Sequence, residues 1–219
     1  MKQTTRGIDG KRGIRRGATI PDFASFKRLS DAVALYAGQF EGRYSQAVPA
    51  AADALRKETG ALRRPANDAA RKVPIGAGRA VKLSKLAGQC ATKGDYLGAA
   101  LVYATGIIEG CAGAEALRGK LDDAVDAASK TEGAVGAEKI CRAVTFSGLP
   151  VFPKGLKRYV RAAFAQLKRE GRGEEAFKVA LYWSTSCLSA LGNGGSIAGF
   201  TPPITTDEAK EAFAGWKGL

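Results

Sequence analysis

RAVKLSKLAGQCATKGDYLGAALVYATGIIEG, residues 79–110, decides the fold. The stretch reads as two helices, over residues 79–93 and 95–110, reversing at Gly94-Asp95, because Gly ends a helix and Asp caps the next. Alanine is abundant here and throughout the chain. It has the highest helix propensity, and its small side chain lets helices approach closely.

Towards the C-terminus the same period continues. Residues 114–129 carry Leu117, Leu121 and Val125 on one side, and a further helix is expected over 132–146. Pro150 and Pro153 interrupt the chain before a helix over 154–170. Residues 174–190 are the most continuously apolar, with Phe177, Val179, Leu181, Tyr182, Trp183 and Leu188, and should run through the core. Gly192 to Pro203 reads as a loop. A last helix over 207–217 opens with a capping box in which Thr205 reaches Glu208. No segment alternates with period two, so the expected class is all-α: a multi-helix bundle or orthogonal helical hairpins with a flexible basic N-terminal arm.

Towards the N-terminus the character changes. Residues 1–17 carry Lys2, Arg6, Lys11, Arg12, Arg15 and Arg16 among four glycines and read as that arm. A helix follows from Pro21 to about Glu41, with Phe23, Phe26, Leu29, Val33, Tyr36 and Phe40 in one stripe. That stripe could pack in the core or dock on a second copy, and Phe23, Phe26, Val33 and Phe40 are the candidate oligomerisation residues. Short helical stretches are expected over 50–59 and 65–73, punctuated by Pro49, Pro65 and Pro74. The expected organisation is a basic arm over 1–20, a helical core over 21–200 and a capping helix over 201–219.

Leu86, Ala87, the Gly94-Asp95-Tyr96 turn, Ala99, Tyr103 and Gly106 fall where the tetratricopeptide repeat family places its small and large packing residues. Over about a tenth of the chain the hairpin therefore resembles one such repeat. A fainter echo lies at 167–181, where Gly171, Glu175 and Ala176 fit and Gly173 stands in place of the tyrosine. The intervals do not repeat at the family's 34 residues. The resemblance implies an antiparallel hairpin and leaves the ligand open.

Net charge is +13, unevenly spread. Residues 1–90 hold 18 Lys/Arg against 7 Asp/Glu, and residues 91–219 hold 16 against 14. One strongly cationic region beside a balanced one suits a surface that faces a polyanion. The sharpest cationic segment lies elsewhere: Lys154, Lys157, Arg158, Arg161, Lys168, Arg169 and Arg172, with no acid between 154 and 169. Lys154, Arg158, Arg161 and Lys168 recur near helical spacing, while Val160, Phe164 and Leu167 take the other side. Such a ridge can track phosphates, and a solvated helix face is the plain alternative. Arg79, Lys82 and Lys85 form a shorter row. Arg63-Arg64 and Arg71-Lys72 are basic doublets beside prolines.

Other chemistry finds little support. The chain has no histidine, and Cys90, Cys111, Cys141 and Cys187 are widely spaced, each in an apolar helical stretch, so neither a metal nor a cofactor is expected. Gly192-Asn-Gly-Gly-Ser lacks the Lys-Ser/Thr ending of a phosphate loop. Asp122, Asp123 and Asp126 are expected to form a solvated acidic face that a neighbour could meet. Ser184, Thr185 and Ser186 have no base to activate them, and their hydroxyls should bond back to helix carbonyls. No enzyme is expected. There is no apolar run for a signal peptide or a membrane span, which points to an intracellular or virion location rather than secretion or a membrane. The expected role is a structural protein that coats or packages RNA, single-stranded RNA being favoured, as a viral nucleoprotein or filament coat subunit forming a homo-oligomer or helical assembly. The alternatives are a tetratricopeptide-like helical adaptor binding a protein and a basic subunit of a large ribonucleoprotein such as a ribosome. Tyr44, Tyr96 and Tyr159 are candidates for base stacking, with core packing as the alternative for each.

Overall fold

A computed structural model describes residues 68–145, 151–192 and 203–214, together with single positions at 54, 57, 58, 61, 65 and 66. Side chains at 185–192 and 206 fall outside that description. The arm, the aromatic segment with Phe23, Phe26, Val33 and Phe40, Tyr44, and the candidate contacts Lys11, Arg12, Arg15, Arg16, Arg63 and Arg64 lie outside it too, as does the loop after Gly192.

The fold is all-α. Its first helix, α1 (Arg79–Thr92), buries Ala80, Leu83 and Ala87 at three- and four-residue steps, the spacing of one helical face. Its reversal is built from the residues that predict it. Gly94 sits at φ 77°, where a side chain would be strained, and Asp95 N–H returns to the Cys90 carbonyl at 3.0 Å. Asp95 then caps α2 (Tyr96–Ile108) by accepting from the Gly98 N–H at 2.8 Å.

α2 is buried at every residue from Gly98 to Ile108, and its described neighbours are α1, α3 (Ala114–Thr131) and α4 (Gly133–Thr145). Gly106 is the point of closest approach. A Cβ there would lie 2.4 Å from a Leu117 methyl of α3 and 2.8 Å from a Leu83 methyl of α1.

The hairpin then recurs. α3 and α4 reverse at Glu132-Gly133, and α5 (Leu156–Arg169) and α6 (Gly173–Gly192) reverse at Gly171. Each helix packs on the next, and α1 also meets α3 as α2 meets α4. The result is a run of three antiparallel hairpins. α1, α3 and α5 form a layer with solvent-facing sides, and α2, α4 and α6 supply most of the core. α7 (Thr206–Ala214) closes the run on α6, its Phe213 ring 5.2 Å from that of Phe177. The expected capping box is present: Thr205 N–H donates to Glu208 Oε2 at 2.8 Å, and Glu208 N–H to Thr205 Oγ1 at 3.3 Å. Ahead of α1, Pro65, Ala66 and residues 68–71 are helical and bring Ala70 and Val73 to the same core.

One expectation about the cysteines needs correction. Cys111 is not in a helix. It follows α2 in a turn whose Gly110 and Gly113 both have positive φ. Burial raises its thiol pKa, as it does for Cys90, and most strongly for Cys141 in the core.

Candidate nucleic-acid interface

α5 is amphipathic because its apolar residues fall on one side: Leu156, Tyr159, Val160, Ala163, Phe164 and Leu167 are all buried. The exposed residues Lys154, Lys157, Arg158, Arg161, Ala162, Ala165, Lys168 and Arg169 fill the complementary arc. At 3.6 residues per turn that arc is about 140° wide. No carboxylate from α5 itself stands within it.

Carboxylates do arrive from other elements, which the local sequence does not reveal. Asp126 of α3 pairs with Arg158 at 3.7 Å and accepts the Tyr159 hydroxyl, while the Arg158 guanidinium lies 4.8 Å over the Tyr159 ring. Arg161 donates to Glu208 at 2.9 Å and to the Pro203 carbonyl at 3.0 Å, bracing α7 against α5. Glu208 is thereby held below the usual carboxylate range: partial burial pushes its pKa up, but the Thr205 N–H and Arg161 outweigh it. Asp122 accepts the backbone N–H of Lys154 at 2.7 Å. The acidic triad is therefore not a free face awaiting a neighbour. Two of its three carboxylates fasten α3 to the start of α5, where the helix N-terminus favours negative charge.

Lys154, Lys157, Lys168 and Arg169 remain exposed, their side chains in no ion pair among the described residues. Lys168 lies 5.5 Å over the Phe164 ring, which covers that aromatic and leaves the ammonium in solvent. Six cations on this face meet three carboxylates, an excess of three. Arg172, beyond the helix end, is neutralised by Glu170 at 2.9 Å and Glu175 at 2.6 Å and does not extend the ridge.

Arg79, expected to line the interface, does not. It is 3% exposed, forms a two-pronged pair with Glu109 at 2.6 and 2.9 Å, and donates to the carbonyls of Val73 and Ala70. Every nitrogen of the guanidinium is engaged, so it ties the start of α1 to the end of α2 and to the chain preceding α1. Its row is reduced to Lys82 and Lys85, both exposed on α1, with α3 between them and α5. The intervening α3 carries mixed charge, including Arg118 paired with Glu115 at 3.5 Å. Arg71 is exposed and pairs with Asp68 at 3.8 Å, and Lys72 is exposed. The basic pieces do not merge into one unbroken groove among the described residues.

A second polar cluster is absent from the sequence reading. Glu138 of α4 is wholly buried, accepts the Trp183 indole N–H of α6 at 2.8 Å, and pairs with Arg142 one turn on at 3.2 Å. Arg142 also reaches Glu58 at 3.4 Å. Burial works against the Arg142 charge, but Glu138 and then Glu58 outweigh it, so its pKa is raised. The Tyr182 hydroxyl lies 3.1 Å from Thr145 Oγ1 and donates to the Arg142 carbonyl at 3.3 Å. Closed off from solvent except at Glu58, this cluster fastens α4 to α6. The signal for it was Glu138 and Arg142 at four-residue spacing in a helix whose only other charge is Lys139.

Among the described residues no group of His, Cys, Asp and Glu side chains is arranged to hold a metal, and no helix is long and apolar enough to cross a membrane. The chain matches no known protein family, no curated protein and no solved structure.

Proposed function

We propose that the protein is a structural RNA-binding protein that coats RNA, with the outward face of α5 as its principal contact in the described core. The observation that carries the reading is four exposed cations in no ion pair among the described residues, Lys157, Lys168 and Arg169 on a helix face with no acid of its own and Lys154 in the turn that leads into it. Each phosphate neutralised there would release a condensed counterion, which drives association without base readout. The excess of 11 positive charges in residues 1–90 adds a second cationic region to the same chain. In this reading the protein works by assembly on RNA, with several copies on one strand, and carries out no reaction.

Light scattering coupled to size exclusion, with and without a long RNA, tests it. A series of RNA-dependent species of increasing mass supports a coat. One fixed complex favours a subunit of a larger ribonucleoprotein. Indifference to RNA removes the proposal and favours an adaptor for protein partners, a reading to which the three successive hairpins lend weight, since stacked hairpins present extended surfaces.

A further inference from the structure

The outward face of α5 offers an approaching nucleic acid very few kinds of group. Beyond the cations it presents the methyls of Ala162 and Ala165 and the carboxylates that reach it from α3 and α7, Asp126 the most exposed of them. Gln166, the nearest amide, is half-buried and donates to Glu170 at 2.7 Å. Tyr159 and Phe164 are buried, and the described aromatics that are only half-buried, Tyr96, Phe152 and Phe213, lie on other elements. Base stacking needs an accessible ring and edge readout needs free amide, hydroxyl or two-pronged guanidinium donors. Of the three arginines, Arg158 and Arg161 are already committed to Asp126 and Glu208. The exposed groups that remain are chiefly lysines, which act as point charges.

The free cations are also grouped. Lys154 and Lys157 stand at the first end of the face, Lys168 and Arg169 at the other, with Arg158, Arg161, Ala162 and Ala165 between. Lys157 and Lys168 are eleven residues apart, three turns and about 16 Å along the axis, and so point the same way. The two arginines between them are exposed but held by Asp126 and Glu208, so a strand lying along the helix meets free cations chiefly at its two ends.

Resting on the RNA-coating reading, we propose that α5 binds the phosphodiester backbone alone, through the cation pairs at the two ends of its outward face, and is blind to base and to the 2′-hydroxyl. The ligand class is then any linear phosphodiester, not RNA in particular. The free cations number four, and for single strands the slope of log K against log salt is about −0.7 per phosphate neutralised, so the face contributes about −2.8 to the slope.

Fluorescence anisotropy with the full chain tests this, using 20-mers of U, A, C and deoxythymidine and one DNA duplex at a series of salt concentrations. The four single strands should bind within about threefold of one another. K154Q/K157Q and K168Q/R169Q should each make the slope shallower by about 1.4, and the quadruple variant by about 2.8. Because these side chains are in no ion pair among the described residues, and only Lys168 rests on a ring, that of Phe164, circular dichroism should be unchanged. A base or sugar preference above tenfold that survives high salt overturns the inference, as does a wild-type slope that the quadruple variant retains. A duplex bound while every single strand is refused overturns it as well, because the face would then be reading duplex shape. If wild-type protein binds none of these polymers at the lowest salt, the coating reading itself has failed, an outcome distinct from the other three.

Discussion

Replacing Glu138 with alanine removes the one fully buried carboxylate among the described residues and two interactions with it. Trp183 loses the acceptor for its indole N–H. Arg142, itself buried, keeps only Glu58 at 3.4 Å, a residue 43% exposed to water. The small values measured for surface ion pairs do not apply here. Removing one partner of a buried pair leaves an uncompensated charge and costs about 3–5 kcal/mol. The orphaned indole would separately cost about 1–3 kcal/mol, but the groups touch, so the two figures do not add. The expectation is a loss of about 4 kcal/mol, a large part of the 5–15 kcal/mol typical of a domain. Urea unfolding followed by circular dichroism reads it as a lower midpoint. The companion variant is Glu138→Leu with Arg142→Met, which removes both charges at similar volume, leaves only the indole orphaned, and should therefore lose about 1–3 kcal/mol, less than Glu138→Ala. A loss below about 1 kcal/mol for Glu138→Ala would refute the reasoning. So would a double variant less stable than Glu138→Ala, since the cost would then come from lost packing and not from a stranded charge.

Two further outcomes follow from the packing and from α7. Gly106→Ala should lower the unfolding midpoint by the equivalent of about 1–3 kcal/mol, because the new methyl overlaps Leu83 and Leu117, both buried, and this outweighs the better helix propensity of alanine. Arg161→Gln should destabilise by up to about 1 kcal/mol and expose α7 to faster hydrogen exchange, whereas Lys157→Gln should leave both unchanged within about 0.5 kcal/mol. The pH dependence has a definite sign: Glu208 titrates lower folded than unfolded, so its contribution is complete above the ordinary carboxylate range and is lost as pH falls through its folded value. Hydrogen-exchange protection of α7, taken against the intrinsic rate at each pH, should therefore fall across that acidic window in wild type and change less in Arg161→Gln.

The helices were legible because their cause is local. Leu117, Leu121 and Val125 bury one side of α3 through spacing alone, and Gly94-Asp95 carries the geometry of its own turn. The capping box at Thr205 spans four residues and was equally plain. What the sequence concealed depends on distant partners. Arg79 reads as one more surface cation until Glu109, thirty residues on, meets it in the interior. Arg158 and Arg161 read as free until Asp126 and Glu208 arrive from α3 and α7. Glu138 and Arg142 have the spacing of an exposed helix pair, and only the fold turns that side inward against Trp183. The cationic character of the α5 face was thus visible in outline, whereas the division between working and structural cations required tertiary contacts.

The central claim is that the exposed cations of α5 lie against RNA in the complex. Amine-reactive footprinting read by mass spectrometry measures this at each lysine, with saturating single-stranded RNA and without it. The account predicts that Lys154, Lys157 and Lys168 become strongly protected while Lys130, exposed near the C-terminal end of α3, labels as before. Equal labelling of the three α5 lysines in free and fully bound protein would contradict it.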